Sequence, residues 1–280
     1  MVEEILRRAY VRDWPARLWA HVPGACEVRL VDSHVDVPGA GPDLTVAFAS
    51  DLHLGPTTPS RLLDRAFERL AACAPDVLAL GGDYVFLDAT EAKARELAAR
   101  VREVPAQTKV AVLGNHDLWT DHRLLERALE RAGVQVLVDD AVRIGDVAVL
   151  GVDDPWTGAM DAERALSACG DATVIVAVAH APEAIPALAG QVDALLCGHT
   201  HGGHLALPGG RPVVVQGAVG KRHAHGVHRF GRTTAIVSRG IGGIEIPMRA
   251  FAPPDVVRLR LVRREYDPEN LFGHTRGLIR

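Results

Sequence analysis

Two histidines stand two residues apart between glycines in Gly198-His199-Thr200-His201-Gly202-Gly203, directly after the apolar run Ala194-Leu195-Leu196-Cys197. If the backbone stays extended, residues i and i+2 point to one side, so both imidazoles can face the same object. Neutral imidazole is the commonest protein ligand for a transition metal, and this spacing suits one ion or two neighbouring ions. Four other apolar runs end in polar clusters. Phe48-Ala49 leads into Ser50-Asp51-Leu52-His53, Ala79-Leu80 into Gly81-Gly82-Asp83, Val112-Leu113 into Gly114-Asn115-His116-Asp117, and the run 175–179 into His180. Any one of these reads as an ordinary polar turn, but five in a row with the same chemistry do not. Open α/β sheets bind ligands at the carboxyl ends of their strands, so groups spread along the chain can converge there.

The donor set is oxygen from Asp51, Asp83 and Asn115 and nitrogen from His53, His180, His199 and His201. Mixed N/O ligation without thiolate points to manganese, iron or zinc rather than to a calcium cage or a thiolate zinc site. Two divalent ions set against Asp51, Asp83 and a bridging hydroxide leave a net charge of roughly +1, which favours an anionic substrate. Such a pair would also lower the pKa of a bridging water and clamp a phosphoryl oxygen.

Positioning these groups requires alternating strands and helices. Strands are expected at 44–49, 77–80 and 110–113. Between and after them come a helix capped by Ser60 and stopped by Pro75, a second capped by Thr90, and a third from Asp121 ending before Gly133. An earlier strand is expected at 27–31. Beyond Val134 the pattern turns to strands at 136–138, 147–152, 173–179, 194–197, 213–215, 233–238 and 256–262, with helices at 161–169 and 182–188. So many strands call for two sheets packed face to face with helices outside. Neither a polar linker nor an internal repeat divides the chain, so residues 1–280 are expected to form one domain. Residues 1–22 carry Ile5, Leu6, Tyr10, Trp14 and Leu18 at helical spacing among four arginines, with Pro15 breaking the run. They read as a short or kinked amphipathic appendage that packs on the surface or touches a membrane.

With 280 residues the chain can bury a large core, and its net charge of −4 offers no electrostatic case for nucleic acid. Cys26, Cys73, Cys169 and Cys197 are widely separated, as in neither a disulfide framework nor a thiolate metal site. No segment approaches the ~20 apolar residues of a membrane span, and the start lacks a leader pattern; the expectation is a cytoplasmic protein.

The ordered series Asp51-x-His53, Gly82-Asp83, Gly114-Asn115-His116-Asp117, His180 and Gly198-His199-Thr200-His201 resembles the calcineurin-like metallophosphoesterase superfamily across about residues 44–262. Gly198 to Gly203, Leu205-Ala206-Leu207-Pro208 and Ser238-Arg239-Gly240-Ile241-Gly242 are most similar to its bacterial YkuE-like branch. The resemblance implies a four-layer α/β/β/α sandwich and two divalent metal ions, manganese favoured. It implies that Asp51, His53 and His201 hold one ion, that Asn115, His180 and His199 hold the other, and that Asp83 bridges. His116 would act on the leaving-group oxygen or the phosphoryl oxygens without ligating, and Asp117 would fix its ring. The implied reaction is hydrolysis of a phosphodiester, pyrophosphate or phosphomonoester bond by a metal-bridging hydroxide. Relatives often begin with a membrane anchor or export signal, and neither is expected here; His204 stands where Gln is expected.

For substrate contacts the candidates are His204 and the basic loop with Arg222 and His223, an electropositive lip for the non-scissile part of a phosphate ester. Trp156 could stack on a ring. Gly240-Ile241-Gly242-Gly243 lacks the strand–helix context of a dinucleotide site. The expected substrate is a small-molecule phosphate ester. The alternatives are a lipid-linked pyrophosphatase at the membrane surface (UDP-diacylglucosamine hydrolase-like), a non-catalytic protein-binding scaffold, and a nuclease, for which a basic stripe is lacking.

Overall fold

The computed structural model describes residues 2–39, 42–215 and 217–264. The chain begins with two short helices, α1 (Val2–Ala9) and α2 (Trp14–Trp19), and then enters the edge strand β1 (Arg29–Pro38). A run of strand–helix units follows: β2 (Leu44–Ala49), α3 (Ser60–Ala72), β3 (Val77–Leu80), α4 (Glu91–Glu103), β4 (Thr108–Ala111), α5 (Asn115–Leu118), α6 (His122–Arg131) and β5 (Gln135–Val136). The second half comprises β6 (Asp140–Ile144), β7 (Val147–Gly151), α7 (Ala162–Ala168), β8 (Val174–Val178), α8 (Ile185–Leu188), β9 (Ala194–Cys197), β10 (Ala206–Leu207), β11 (Arg211–Pro212), α9 (Ala218–Arg222), β12 (Gly226–Phe230), β13 (Thr233–Val237) and β14 (Asp255–Arg264).

The strands form two six-stranded mixed sheets, ordered β1-β14-β2-β3-β4-β5 and β12-β13-β9-β8-β7-β6, with β10 and β11 as a separate two-stranded ribbon. Each central strand is buried on both faces, and the period-2 alternation divides its side chains between two cores. In β2, Val46 and Phe48 meet the other sheet, where they join Val176, Val178, Leu196 and Ile236. Ala47 and Ala49 face Leu63, Phe67, Leu97 and Leu125 of the covering helices. In the second sheet Ala177 and Leu195 pack outward against Ala165, Ile185 and Leu188. The result is the α/β/β/α layering. Arg263 on β14 makes a two-pronged ion pair with Asp146 in the β6–β7 turn, linking the two sheets (2.7 and 2.5 Å).

Several boundaries differ from the sequence expectation for identifiable reasons. Ser60 is the first residue of α3, not its cap; its hydroxyl accepts from Arg100 on α4 (2.8 Å) instead. Thr90, Asp121 and Asp161 do cap their helices. Of the run 136–138 only Val136 lies in a strand, the two-residue β5, whose ladder partner is the end of β4. No strand forms at 213–215: Pro212 pairs within the ribbon, Val213 and Val214 lie open, and Val215 is buried outside any ladder. Strands β6 and β12 were not expected. Each is an edge strand joined to an apolar neighbour by a two-residue turn, Gly145-Asp146 and Gly231-Arg232, with the glycine at positive φ. Strand β1 runs well past 31, because the polar sequence Asp32-Ser33-His34 continues in register along β14.

The N-terminal helices form the kinked pair that Pro15 announces, broken at Arg12 and Asp13 with φ of 59° and 53°. They are fastened by Arg7 to the Leu87 carbonyl (2.6 Å), Ala16 N–H to Pro56 O (3.0 Å) and Tyr10 hydroxyl to Glu245 O (2.7 Å). Among the described residues no helix is long and apolar enough to cross a membrane.

Phe48 fills the space between the sheets, with no exposed surface. Phe48→Ala should destabilise the fold by about 3–5 kcal/mol. Urea titration should show a lower midpoint with unchanged slope.

Candidate metal centre

Strands β2, β3 and β4 run parallel, as do β8 and β9 in the facing sheet, and the polar clusters sit at their carboxyl ends. The loops that carry them bond to one another. Asp51 N–H donates to Gly82 O (2.9 Å), His53 N–H to Asp83 O (3.0 Å), and Gly198 N–H to His180 O (2.8 Å). Asp51, His53, Asp83, His199 and His201 all adopt left-handed backbone, with φ between 45° and 69°. This conformation is costly for residues with a Cβ and persists only where the surroundings enforce it. It also corrects the expectation for the paired histidines. The chain leaves the extended form after Cys197, so His199 and His201 diverge rather than project as strand neighbours.

Two groups of donor atoms result. In one, His53 Nε2 lies 3.1 Å from His201 Nε2, and His201 Nε2 lies 3.4 Å from Asp51 Oδ1. In the other, His180 Nε2 lies 3.1 Å from Asn115 Oδ1 and 3.2 Å from His199 Nδ1. Asp83 Oδ2 stands between the groups, 3.6 Å from His53 Nε2 and 3.3 Å from His180 Nε2. Atoms bound at 2.0–2.1 Å to one cation lie about 3.0–3.4 Å apart in octahedral or tetrahedral arrangements. Both groups have that spacing, and the donor set matches, so the residues fit a pair of divalent cations. His53 Nδ1 and His199 Nε2 are buried without a hydrogen-bond partner. A third grouping, His53 with Asp83 and His116, brings His116 within reach of the first cluster.

Electrostatics prepare the ligands. Burial holds His53, His199 and His201 below the usual imidazole range, in the neutral form that binds metal. Burial also opposes ionisation of Asp83, yet the imidazoles of His180, His116 and His53 overcome it and keep the carboxyl strongly acidic. His180 is raised by the same pairing against the desolvation that would lower it. Its Nδ1 faces the Gly81 carbonyl (2.8 Å), which only accepts, so Nδ1 carries a proton and Nε2 is turned to the cluster. At His201 the order is reversed. Arg249 donates to Nδ1 (2.8 Å), leaving the proton on Nε2, from where it points to His53; cation binding at that nitrogen must displace it.

Asp117 has a different task from the one expected. Its carboxylate accepts from the backbone N–H of Asp83 (2.7 Å), Tyr84 (2.8 Å) and Gly114 (3.0 Å), tying the β3 loop to the β4 loop, and it makes no hydrogen bond to the His116 ring. That ring is packed by His53 (4.9 Å), Trp119 (5.0 Å) and Phe86 (5.7 Å). Gly114 and Gly198 are fixed by space: a Cβ on the first would collide with Asp83, and on the second with Ser50 and Asp51.

His204 borders the cleft over the cluster, but its Nε2–H is used on the Ile246 carbonyl (2.6 Å). Arg222 and His223 do not line that cleft. The basic loop is instead the end of α9 and the start of β12, where His223 packs on His228 and Phe230. Trp156 lies over His199 at 5.2 Å. Sequence reasoning missed Arg249, Phe86 and Trp119. Of these, Trp119 and Phe86 stood close enough to a motif to be found, three residues beyond His116 and Asp83 respectively, whereas Arg249 lies far from any.

Residues 44–203 match the family described as calcineurin-like phosphoesterase. "Phosphodiesterase YaeI" of Escherichia coli (strain K12) is 31% identical over 226 residues, covering 78% of this chain and 82% of that protein. An uncharacterized metallophosphoesterase of Aquifex aeolicus (strain VF5) is 32% identical over 231 residues, 78% of this chain and 84% of that protein. "Uncharacterized metallophosphoesterase YkuE" of Bacillus subtilis (strain 168) matches only in part, 37% over 65 residues, 23% of this chain and 22% of that protein.

Because Asp83 Oδ2 stands between the two donor groups, Asp83→Asn should weaken metal uptake at both, on the order of 10- to 100-fold. His199→Ala should reduce chiefly one. Metal analysis after equilibrium dialysis separates these outcomes, and loss of a single ion in Asp83→Asn would mean that the clusters do not share it.

Proposed function

The chain belongs to the calcineurin-like phosphoesterase family and is a metal-dependent phosphoric ester hydrolase; from that premise we propose a binuclear enzyme that cleaves a phosphodiester, pyrophosphate or phosphomonoester bond of a small molecule. Asp51, His53 and His201 hold one cation, Asn115, His180 and His199 the other, and Asp83 both. Manganese is favoured by the N/O donor set, with iron and zinc accepted by the same ligands. When bound, the ions supply Lewis-acid polarisation of the phosphoryl group and an activated water.

The chain's own residues do the rest. Asp117, through its three backbone donors, sets the spacing of the Asp83 and Asn115 loops, so that the two donor groups stay in contact. His116 stands at the cleft mouth with its backbone N–H on Asp83 Oδ1 (2.8 Å), which holds its ring beside the ligands. Unlike His53, His180 and His201 it is partly open to solvent, so its ring can deliver a proton to the leaving oxygen and recover one from water. The observation that carries this reading is the Asp83 oxygen within 3.6 Å of ligating nitrogens from both groups. A full ligand set with a free imidazole beside it is more than a protein-binding scaffold needs.

The decisive assay reconstitutes the chain with manganese and measures hydrolysis of p-nitrophenyl phosphate, its bis ester and a nucleotide and nucleotide-sugar panel. His116→Ala should keep both ions and lose about 10²- to 10⁴-fold in kcat. Inactivity of the metal-loaded chain on every ester would overturn the proposal, and metal loss in His116→Ala would make that residue a ligand.

A second reading, a lipid-linked pyrophosphate as substrate at a membrane surface, is favoured by one observation. Helices α1 and α2 and the turn between them leave Ile5, Val11, Trp14 and Leu18 exposed among arginines, and Tyr10 fastens them to Glu245 at the border of the cleft. In co-sedimentation with anionic vesicles, Ile5→Glu/Leu18→Glu should recover several-fold less protein than the unaltered chain. Equal recovery would remove the membrane from the account.

A further inference from the structure

The cleft beside the metal ligands has a volume of about 320 Å³, and one of its walls is apolar, formed by Trp119, Leu205, Val213, Val214, Ile244 and Ile246. Trp119 is 52% exposed, Val213 60% and Val214 69%. Large apolar side chains left open next to a polar reaction centre mark a binding surface. Hydrogen bonds between segments keep the wall in place: Val213 N–H donates to Leu205 O (3.0 Å), Ala206 N–H to Ala250 O (2.8 Å), and His204 to Ile246 O (2.6 Å). The surface is therefore formed before any ligand arrives.

Charge at the cleft is equally informative. Among the described residues its charged side chains, apart from the histidines, are Asp83 and Glu245, and neither lysine nor arginine lines it. A second phosphate group would find no cation there except the metals and would face the Glu245 carboxylate. An uncharged ester group would instead bury against the wall and gain roughly 25 cal/mol for each Å² of apolar surface removed from water. The volume lies at the lower end of ligand pockets, about 300–1,000 Å³, so it holds one ring or a short chain rather than a whole nucleotide sugar.

We propose that this wall is a specificity subsite for an apolar ester group, and that the preferred substrate is a singly charged phosphodiester with an aryl or short alkyl substituent. Pyrophosphates and nucleotides are disfavoured by the missing cations. The proposal rests on the phosphoesterase reading, but it concerns binding at the wall and is read from affinities rather than rates, each ligand being verified intact at the end of its titration.

The test measures affinity by calorimetry on the manganese-loaded full chain for dimethyl, dibutyl and diphenyl phosphate and for inorganic pyrophosphate. Diphenyl and dibutyl phosphate should each bind at least tenfold more tightly than dimethyl phosphate. Trp119→Ala should weaken diphenyl more than dibutyl phosphate, which separates ring stacking from general apolar burial. Val214→Lys lies outside the ligand set and should leave metal content unchanged. It should shrink the diphenyl-to-dimethyl ratio below threefold and strengthen pyrophosphate binding. Equal affinity for the three diesters, or unchanged ratios in Val214→Lys with metal intact, would overturn the subsite while leaving a working hydrolase in place. A preference for diphenyl phosphate in a chain that hydrolyses no ester would overturn the hydrolytic reading and leave the subsite standing.

Discussion

Asp83 places a carboxylate where only 2% of the residue is exposed, and an unpaired charge at that depth is strongly unfavourable. The surrounding structure answers this charge. His180 and His53 turn their Nε2 atoms toward its Oδ2, the His116 backbone N–H donates to Oδ1, and Asp117 receives the N–H of Asp83 itself. Holding so many partners on one carboxylate requires strands from both sheets to end at the same place. The centre is therefore a product of the face-to-face packing of the sheets, through which Phe48, Val178 and Leu196 share a core.

The local cost is visible in the backbone. Five donor residues occupy left-handed conformations that a side chain disfavours, and the neighbouring glycines leave no room for a Cβ. Hydrogen bonds from loop to loop, rather than to solvent, hold these conformations. Asp117 and Arg249 act in the same way, one tying two loops through their amides and the other tying the His201 ring to carbonyls of Arg239, Gly242 and Ala252. The centre is thus rigid on its protein side, while the cleft above it combines fixed apolar walls with exposed aromatic edges. Trp119 packs on His116 and Trp156 on His199, so a partly exposed indole lies against each of these two rings.

What could be read from the chain followed from short-range rules. The apolar runs at 44–49, 77–80 and 194–197 matched strands because strands buried on both faces have little besides apolar residues to offer. Edge strands were harder. β1 and β6 alternate polar with apolar residues, and only pairing with β14 and β7 makes them strands. The reverse failure occurred at 213–215, where three valines suggested a strand but Pro212 and the ribbon before it left no partner to pair with. β-structure is decided by neighbours distant in sequence, and an apolar run supplies only half of a ladder.

For the centre, residue types and their order determined the donor set, the absence of thiolate and the family to which the chain belongs, since chemistry and spacing are written into the sequence. The resemblance implies how the donors divide, and the tertiary structure supplies the geometry that separates them. His199 and His201 separate because the chain enters left-handed turns after Cys197, not because of their spacing. Asp117 bonds to amides 33 and 34 residues away, and Arg222 and His223 fall outside the cleft because α9 and β12 carry them elsewhere. The apolar wall likewise gathers Trp119 with residues 205–246, a neighbourhood created by loop packing. Each of these outcomes depends on contacts between segments far apart along the chain, and such contacts exist only after the two sheets have closed on one another.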